Sequence, residues 1–294
     1  MSHKATFDEA LRIAAGRLRA VGVDSAEWDA RMLLAHVLKV GHMDIPSTQE
    51  ATNAEQFYAL IDRRAQREPL QHIIGTAPFG PLDLEVGPGV FIPRPETETL
   101  ADWAVNYLNQ HFPRAKFAGA GESLAPVVVD LCTGSGALAA YIAHYRPDVQ
   151  VFAVELSDAS LPFTQRNLAG TSVQIIQSDV TSVELLNKLE AVVGRVDLVV
   201  TNPPYVPEDP NLAPEVYHDP HDAVFSGIEG MDTINAMLPN VLKLLARGGA
   251  VGIEHDDSTS ELVQRAANQA GLVNVSPLKD LGGTARYVLA KAPS

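Results

Sequence analysis

The Asn-Pro-Pro-Tyr motif at residues 202–205 carries the most specific chemistry in this sequence. It follows the apolar run 196–201, which predicts a buried strand, and open α/β sheets bind ligands at the carboxyl ends of such strands. Proline has a fixed φ and no N–H, so Pro203 and Pro204 predict a stiff turn. The carbonyls of Asn202 and Pro203 then stay available as hydrogen-bond acceptors.

These acceptors suit a planar nitrogen. An NH₂ group on an sp² carbon could donate to two of them with its nitrogen facing a methyl donor, while the ring of Tyr205 covers the planar group. The motif would then mainly orient a poor nucleophile, an effect on the order of 7 to 11 kcal/mol in favourable intramolecular cases. The alternative is a strand that ends in a Pro-Pro turn, with Asn202 capping it locally.

A glycine-rich turn follows an earlier apolar run, 127–131. Asp130 leads into a loop in which Gly134 and Gly136 permit a tight turn and the close approach of a ligand, and the helix that follows presents free N–H groups. The loop residues are Cys132, Thr133, Gly134, Ser135 and Gly136. This pattern alone does not identify a ligand.

Two carboxylates complete a nucleoside site. Glu155 ends the next predicted strand, 19 residues after Gly136, where a carboxylate would accept hydrogen bonds from two ribose hydroxyls. Asp179 follows the third strand and could accept from an exocyclic amine, while Val180 packs on the base. S-adenosylmethionine also needs an anion near its amino and sulfonium charges, which Asp130 can help to supply. Since the 202–205 motif has no role in hydride transfer, we predict S-adenosylmethionine as the cofactor and S-adenosylhomocysteine as the product.

The elements that must position these residues alternate between strands and helices from residue 126 onward. The near-continuous apolar runs need cover on both faces, which predicts a parallel, doubly wound α/β sheet. The last two runs lie close together and predict an antiparallel edge. The predicted strands are 127–131, 151–155, 173–177, 196–201, 250–254, 273–276 and 286–290, with helices such as 137–144 and 258–270 between them.

The region before this sheet has a different pattern. Apolar residues recur at spacings of three and four across residues 7–71, which predicts a small helical domain. Glycine and proline interrupt residues 75–95, which predicts a linker with a hairpin and not a core element, and residues 118–121 are predicted to form a surface loop. The predicted regions are 1–75, a helical domain; 76–95, a hairpin linker; and 96–294, the α/β domain.

Composition and charge limit the class of protein. With 294 residues, 46% hydrophobic and 20% charged, the chain is expected to be globular, and the lack of a long apolar run or a signal-peptide core predicts a cytoplasmic protein with no membrane partner. The net charge is −14, and residues 76–294 hold 13 Lys and Arg against 26 Asp and Glu. Nucleic-acid-binding proteins usually carry a basic surface, so we expect no direct nucleic-acid partner. The arginine cluster at 63–67 could form a contact with a partner, but a solvated helix face is favoured.

The remaining reactive residue types do not predict a metal site. Cys132 is the single cysteine, which excludes an intrachain disulfide and a multi-cysteine metal site, and we expect a buried, inert thiol there. Only His218 and His221 lie close together in the sequence, with His255 far from both, and solvated or packing roles are favoured for all three.

The sequence resembles the HemK/PrmC family, which methylates the side-chain amide nitrogen of glutamine in the Gly-Gly-Gln loop of class I peptide-chain release factors. Four segments carry the resemblance in the family's order: 67–75, 91–98, 130–137 and 202–205. The resemblance implies a Rossmann-like, seven-stranded class I methyltransferase domain with a small N-terminal α-helical bundle domain and a β-hairpin linker. It also implies class I release factors as partners, recognised by the helical domain and bound through the Gly-Gly-Gln loop.

The resemblance also implies residue roles. Residues 132–136 would hold the methionine part of the cofactor, Glu155 the ribose, and Val180 the surroundings of the adenine. Residues 202–205 would clamp the glutamine amide, with Asn202 bordering both cofactor and substrate.

One family signature and two departures from the family pattern leave questions open. Residues 94–98 match the signature, and they could contact a ligand or form a helix start with early carboxylates. Cys132 stands where many relatives have glycine, so the loop must tolerate a side chain beside the cofactor. Asp219-Pro220 stands where the family usually has Glu-Pro, which keeps a charge but shortens its reach.

Two other functions stay open at this point. Exocyclic amines of adenine and guanine share the planar NH₂ chemistry, so an amino-methyltransferase acting on DNA or RNA is one alternative. A module that binds the cofactor without catalysis is the other, and it would fail to transfer methyl groups. The acidic charge disfavours the first, and the presence of both motifs disfavours the second.

Overall fold

A computed structural model gives the structure of residues 5–46, 48–113, 125–208 and 214–294. The chain divides into two compact units, one formed by Met1–Thr76 with Ala213–His218 and the other by Ala77–Leu212 with Asp219–Ser294. The surface loop predicted at 118–121 lies outside these described ranges. None of the described helices is long and apolar enough to cross a membrane.

The first unit is helical, as its periodicity predicts. Thr6 starts the first helix with a capping box, in which its side chain accepts from the backbone N–H of Glu9 and the Glu9 side chain accepts from the N–H of Thr6. Phe57, Leu33 and Leu18 are among its buried core residues. The helices are α1 (Phe7–Ala20), α2 (Ala26–Leu38), α3 (Ala54–Ala65) and α4 (Leu70–Ile74), followed later in the chain by a 3₁₀ turn at Pro214–His218.

The prediction that the arginine cluster at 63–67 is a solvated helix face is wrong for Arg64, although Arg63 is exposed. Arg64 is 6% exposed and its Nε donates to Asp29 Oδ2 at 2.7 Å. Its guanidinium also binds Glu215, whose second oxygen accepts from Arg67 at 2.6 Å. Periodicity did not reveal these pairs because Asp29 and Glu215 are distant in sequence.

The second unit contains a seven-stranded sheet. Its strand order is β5-β4-β3-β6-β7-β9-β8. Neighbouring strands from β5 to β7 are parallel, whereas β9 is antiparallel to both of its neighbours, β7 and β8. This confirms the predicted doubly wound sheet and its antiparallel edge. The chain order reverses around the central strand β3, and such switch points form ligand crevices at the carboxyl ends of strands. The strands are β3 (Val127–Leu131), β4 (Gln150–Glu155), β5 (Gln174–Gln177), β6 (Val196–Thr201), β7 (Leu245–Glu254), β8 (Val273–Lys279) and β9 (Ala285–Lys291).

Both faces of the sheet are covered. Val127 and Val129 of β3 join one buried cluster, whereas Val128 joins another, because successive side chains of a strand point to opposite faces. Every residue of β3 is buried, which explains its uninterrupted apolar pattern. The helices are α5 (Thr97–His111), α6 (Ala137–Tyr145), α7 (Leu161–Asn167), α8 (Glu184–Lys188), α9 (His221–Val224), α10 (Asp232–Leu244) and α11 (Ser260–Gln269), with short 3₁₀ turns at Glu190–Val192 and Asp257–Thr259.

The segment before α5 forms the predicted hairpin, with strands β1 (Thr76–Phe79) and β2 (Leu82–Glu85). The prediction that this segment is not a core element is wrong. Phe79 is fully buried and packs edge-on against Tyr141 of α6, with ring centroids 5.7 Å apart, and Leu84 joins the same cluster. Glycine and proline mark the turns, but they do not show which side chains between the turns are buried.

Candidate functional site

A cavity of about 520 Å³ opens at the carboxyl ends of the parallel strands in the second unit. This volume lies within the range of small-molecule binding sites. The predicted site residues that line it come from the glycine loop, from the end of β4, from the segment after β5, and from residues 202–205, which we call the acceptor motif because they offer hydrogen-bond acceptors. They are Cys132, Thr133, Gly134, Ser135, Glu155, Asp179, Val180, Asn202 and Pro204. The predicted residues Asp130, Gly136, Pro203 and Tyr205 are not among its lining residues.

The glycine loop adopts backbone conformations that few residues tolerate. Gly134 and Gly136 have φ of +55° and +88°, and Cys132 takes φ of +59° although it has a side chain. A Cβ on Gly136 would lie 3.1 Å from the side chain of Leu168. Gly136 is also the N-cap of α6, and the first two residues of that helix, Ala137 and Leu138, line the cavity.

Asp130 lies beneath this loop. Its side chain is fully buried, and Oδ2 accepts from the Thr133 hydroxyl at 2.5 Å and from the backbone N–H of Ala139 at 3.1 Å. Burial raises the pKa of this carboxyl to about 7, against the effect of the two hydrogen bonds. Its observed contacts therefore support the loop, and direct contact with a cofactor stays a prediction.

Glu155 lies at the end of β4 and lines the cavity, and backbone N–H groups fix the orientation of both of its carboxylate oxygens. Oε2 accepts from the backbone N–H of Gly134 at 2.8 Å, and Oε1 accepts from that of Ser157 at 2.8 Å. Burial raises the pKa of the carboxyl, and these backbone hydrogen bonds oppose the rise. Each oxygen keeps a further lone pair, so the group can accept from two neighbouring hydroxyls.

The wall after β5 combines one carboxylate with apolar side chains. Asp179 Oδ1 accepts from the backbone N–H of Thr181 at 2.8 Å and from the Thr181 hydroxyl at 2.7 Å. Val180 is buried, and Leu156 also lines the cavity although it is 59% exposed. Apolar side chains beside a fixed carboxylate suit a planar base with an exocyclic amine.

The acceptor motif follows β6, as predicted. Asn202 and Pro204 face the cavity, and the Asn202 Nδ2 donates to Thr97 Oγ1 at 3.2 Å. The Tyr205 hydroxyl donates to Glu254 Oε1 at 3.1 Å, and burial together with that carboxylate raises the pKa of the phenol well above its usual value. Both ends of the motif are therefore held by side chains from outside it.

Sequence reasoning did not single out Thr97 or Glu254. Glu254 is 1% exposed and accepts from Thr97 at 3.1 Å as well as from Tyr205. Burial raises the pKa of Glu254 to about 7. A signal was present, since Glu254 is a carboxylate that ends the apolar run 250–254 in the strand next to β6.

The question left open for residues 94–98 has a mixed answer. Thr97 lines the cavity, whereas Arg94 Nη2 donates to Asp219 Oδ2 at 2.7 Å. Asp219 is 4% exposed, and its other oxygen accepts from the backbone N–H of Ile92 at 3.4 Å. The shorter Asp219, where the family usually has glutamate, thus still forms a charge pair with Arg94.

The described residues contain no group of three or more His, Cys, Asp or Glu that could hold a metal ion. His221 pairs with Glu208 at 3.0 Å on the surface, while His255 is buried and its Nδ1 contacts the carbonyl of Asp256 at 2.8 Å. Burial lowers the pKa of His255. Neither contact resembles a metal-ligand set.

Comparisons with known proteins agree with this geometry. Residues 9–75 match the PrmC N-terminal domain, and residues 88–219 match the methyltransferase small domain. A release factor glutamine methyltransferase from Corynebacterium glutamicum is 51% identical, with 97% of this chain and 99% of the relative covered. One from Mycolicibacterium smegmatis is 45% identical, with 96% of each covered. A more distant relative, the 4-amino-L-phenylalanine/4-methylamino-L-phenylalanine methyltransferase of Streptomyces pristinaespiralis, is 37% identical over 85% of this chain and 83% of its own length.

Identities of this size over nearly the whole chain, together with the methyltransferase sheet and a cavity at its carboxyl edge, leave one conclusion. This protein is a methyltransferase and belongs to the release factor glutamine methyltransferase family.

Proposed function

We propose that this enzyme transfers a methyl group from S-adenosylmethionine to the side-chain amide nitrogen of the glutamine in the Gly-Gly-Gln loop of class I release factors. The observation that carries the proposal is the meeting of two sets of residues in one cavity. Glu155 and the glycine loop line one part of it, and Asn202 and Pro204 line another. The names of the full-length relatives support the same acceptor.

The residues present fit S-adenosylmethionine. The loop at 132–136 would hold its methionine part, Glu155 the ribose hydroxyls, and Asp179 with Val180 the adenine. When bound, this cofactor supplies a methyl group on a sulfonium that leaves as a neutral thioether. The chain's own contribution is to bind and orient both groups, with no metal and no covalent enzyme intermediate.

The acceptor motif would position the amide nitrogen. The Asn202 side-chain oxygen and the carbonyl of Pro203 would accept the two N–H bonds of the glutamine amide, so its nitrogen faces the methyl group. Such fixed acceptors stabilise the proton-bearing nitrogen as positive charge develops there, which makes a strong base unnecessary. The helical unit is the part we propose for recognition of the folded release factor, since residues 9–75 match the PrmC N-terminal domain.

A small arylamine is a second candidate acceptor. The relative from Streptomyces pristinaespiralis carries the name of a 4-amino-L-phenylalanine methyltransferase, and an arylamine presents the same planar NH₂ group. DNA and RNA bases share that group too, but the net charge of −14 disfavours them.

The test uses S-adenosylmethionine labelled in its methyl group. The enzyme is incubated separately with a release factor, its variant with Ala in place of the loop glutamine, 4-amino-L-phenylalanine, duplex DNA and ribosomal RNA. We expect label on the unmodified release factor alone. Label on nucleic acid, on the arylamine, or persisting on the loop variant would refute the assignment.

A second measurement separates the roles of the two sets of residues. Asn202→Ala is expected to lower turnover far more than affinity for S-adenosylhomocysteine, because its side-chain oxygen would act on the acceptor nitrogen. Equal loss of both would indicate that Asn202 is mainly a cofactor residue.

A further inference from the structure

Thr97 connects the acceptor motif to a buried carboxylate. Its hydroxyl accepts from Asn202 Nδ2 at 3.2 Å and donates to Glu254 Oε1 at 3.1 Å. The Tyr205 hydroxyl donates to the same oxygen at 3.1 Å. One carboxylate oxygen therefore holds both ends of the 202–205 motif, through Thr97 at one end and directly at the other.

The direction of these hydrogen bonds follows from proton counting. Threonine has one O–H proton, and an ionised carboxylate has only acceptors. When Glu254 is ionised, the Thr97 proton therefore points to Glu254, which leaves only lone pairs of the Thr97 oxygen facing Asn202. The Asn202 amide then turns its nitrogen toward Thr97 and leaves its side-chain oxygen for the cavity that it lines.

The fold places these groups together because β6 and β7 are adjacent and parallel. Thr201 pairs with Ile253 in the register, so the next residue of each strand is Asn202 and Glu254. The second oxygen of Glu254, Oε2, is buried and has no hydrogen-bond partner among the described residues. Burying a carboxylate with an unsatisfied oxygen destabilises a fold, so packing alone does not account for Glu254.

We infer that Thr97 and Glu254 are positioning residues that fix the orientation of the Asn202 amide and the Tyr205 ring, so that Asn202 Oδ1 faces the substrate nitrogen. In its statement about the substrate, this inference rests on the proposed function. A reversed amide would place its own N–H groups opposite those of the substrate NH₂ group. Donor would then face donor, and the nitrogen would lose one of its fixed acceptors.

The first test does not depend on activity. Thr97→Val keeps the branched shape and removes the hydroxyl, while Thr97→Ser keeps the hydroxyl and serves as the matched control. The side-chain amide signals of Asn202, assigned with Asn202→Ala, are followed by ¹H–¹⁵N NMR at a pH well above the pKa of Glu254, where that group is an acceptor only. We expect the Asn202 signals to shift and exchange faster with water in Thr97→Val but not in Thr97→Ser. Unchanged signals in Thr97→Val would overturn the inference.

The second test measures turnover with the release factor. Thr97→Val is expected to lower kcat about 10-fold to 100-fold, the effect of losing one buried hydrogen bond, with little change in affinity for S-adenosylhomocysteine. Thr97→Ser is expected to restore most of the rate. In the Asn202→Ala background the same Thr97→Val change is expected to have little effect, because Thr97 acts through Asn202. Equal factors in the two backgrounds, or no rescue by serine, would overturn the inference.

These outcomes separate the inference from the proposed function. If the wild-type enzyme does not methylate the release factor, the proposed function fails, while the NMR comparison still decides the orientation of Asn202. If the wild-type enzyme is active and Thr97→Val matches it, only the inference fails. Should Thr97→Val not fold, as judged by its melting curve, Thr97→Ala removes the same hydroxyl and gives the same readouts.

Discussion

Gly230 offers a test of how closely the acceptor motif must be placed. Its φ is +70°, and a Cβ added there would overlap the carbonyl oxygen of Tyr205 and lie 3.0 Å from its carbonyl carbon. Because the obstructing atoms belong to the backbone, no side-chain rotation relieves the contact. Gly230→Ala should therefore displace the end of the 202–205 motif without changing any of its side chains.

The expected size of the effect has two parts. A residue with a side chain in the left-handed region costs about 1 to 2 kcal/mol of stability. Relief of the overlap requires a shift on the order of 1 Å, and a displacement of that size can lower turnover about 100-fold when catalysis depends on orientation. Affinity for S-adenosylhomocysteine should change far less, because Tyr205 does not line the cavity.

Gly194 provides the matched control. Its φ is +71°, but a Cβ there would meet nothing within 4 Å. Gly194→Ala should lose only about 1 to 2 kcal/mol of stability, the cost of the left-handed conformation, as measured by urea unfolding. It should keep its turnover, measured with labelled S-adenosylmethionine and a release factor. If Gly230→Ala turns over as fast as Gly194→Ala, the placement of Tyr205 is not critical and the reasoning fails.

Three titratable side chains around the cavity give further measurable outcomes. Glu155→Gln should weaken S-adenosylhomocysteine binding at least about 10-fold in calorimetry, because an amide nitrogen would then face the N–H of Gly134 or Ser157. Cys132 should react slowly with iodoacetamide, and more slowly with S-adenosylhomocysteine bound, because burial raises the pKa of its thiol and it lines the cavity; mass spectrometry of this single cysteine measures the rate. Burial raises the pKa of Glu254 from 4.5 to about 7, so the folded state holds this proton more tightly than the unfolded chain. The free energy of unfolding of the wild type relative to Glu254→Gln should therefore be highest at low pH. It should fall by up to about 1.4 kcal/mol per pH unit between pH 4.5 and about 7, as measured by urea unfolding of the two proteins.

Each of these outcomes can fail independently. Unchanged affinity in Glu155→Gln would mean that the carboxylate does not order the loop for the cofactor. Cys132 has intermediate exposure, so the predicted full burial is not observed, and alkylation as fast as that of a free thiol would contradict the raised pKa of its thiol. If the free energy of unfolding depended on pH in the same way in wild type and in Glu254→Gln, the pKa of Glu254 would not be raised by folding.

The parallel sheet could be predicted from sequence because its strands are buried on both faces. The run 196–201 is the same as strand β6, and β3 matches its predicted bounds as well. Strand β7 begins at Leu245, earlier than the predicted start at residue 250, since it continues through Gly248 and Gly249. Glycine pairs usually mark turns, so pattern alone placed the start of the strand too late in the chain.

The contacts that depend on distant residues could not be predicted. Arg64 belongs to a basic cluster whose neighbours in sequence give no sign of Asp29, its buried partner. Phe79 lies among glycines and prolines that indicate a loop, yet it fills the space beside Tyr141. In both cases the side chain is buried by an element that is far away along the chain.

The polar residues at the carboxyl ends of the parallel strands show where sequence reasoning succeeded and where it stopped. Each of these strands carries, or is followed within two residues by, a carboxylate or an amide: Asp130, Glu155, Asp179, Asn202 and Glu254. The first four were found because each belongs to a motif or stands at a spacing that a bound nucleoside or amide would require.

Glu254 contacts no expected ligand group; its partners are Thr97 and Tyr205 of the same unit. A buried carboxylate must be satisfied by something, and parallel strand ends meet at one edge of a sheet. A charged residue that ends an apolar strand should therefore be considered part of the site even when no group of the expected ligand would bind it. The residues within its reach are the ones that bind the ligand.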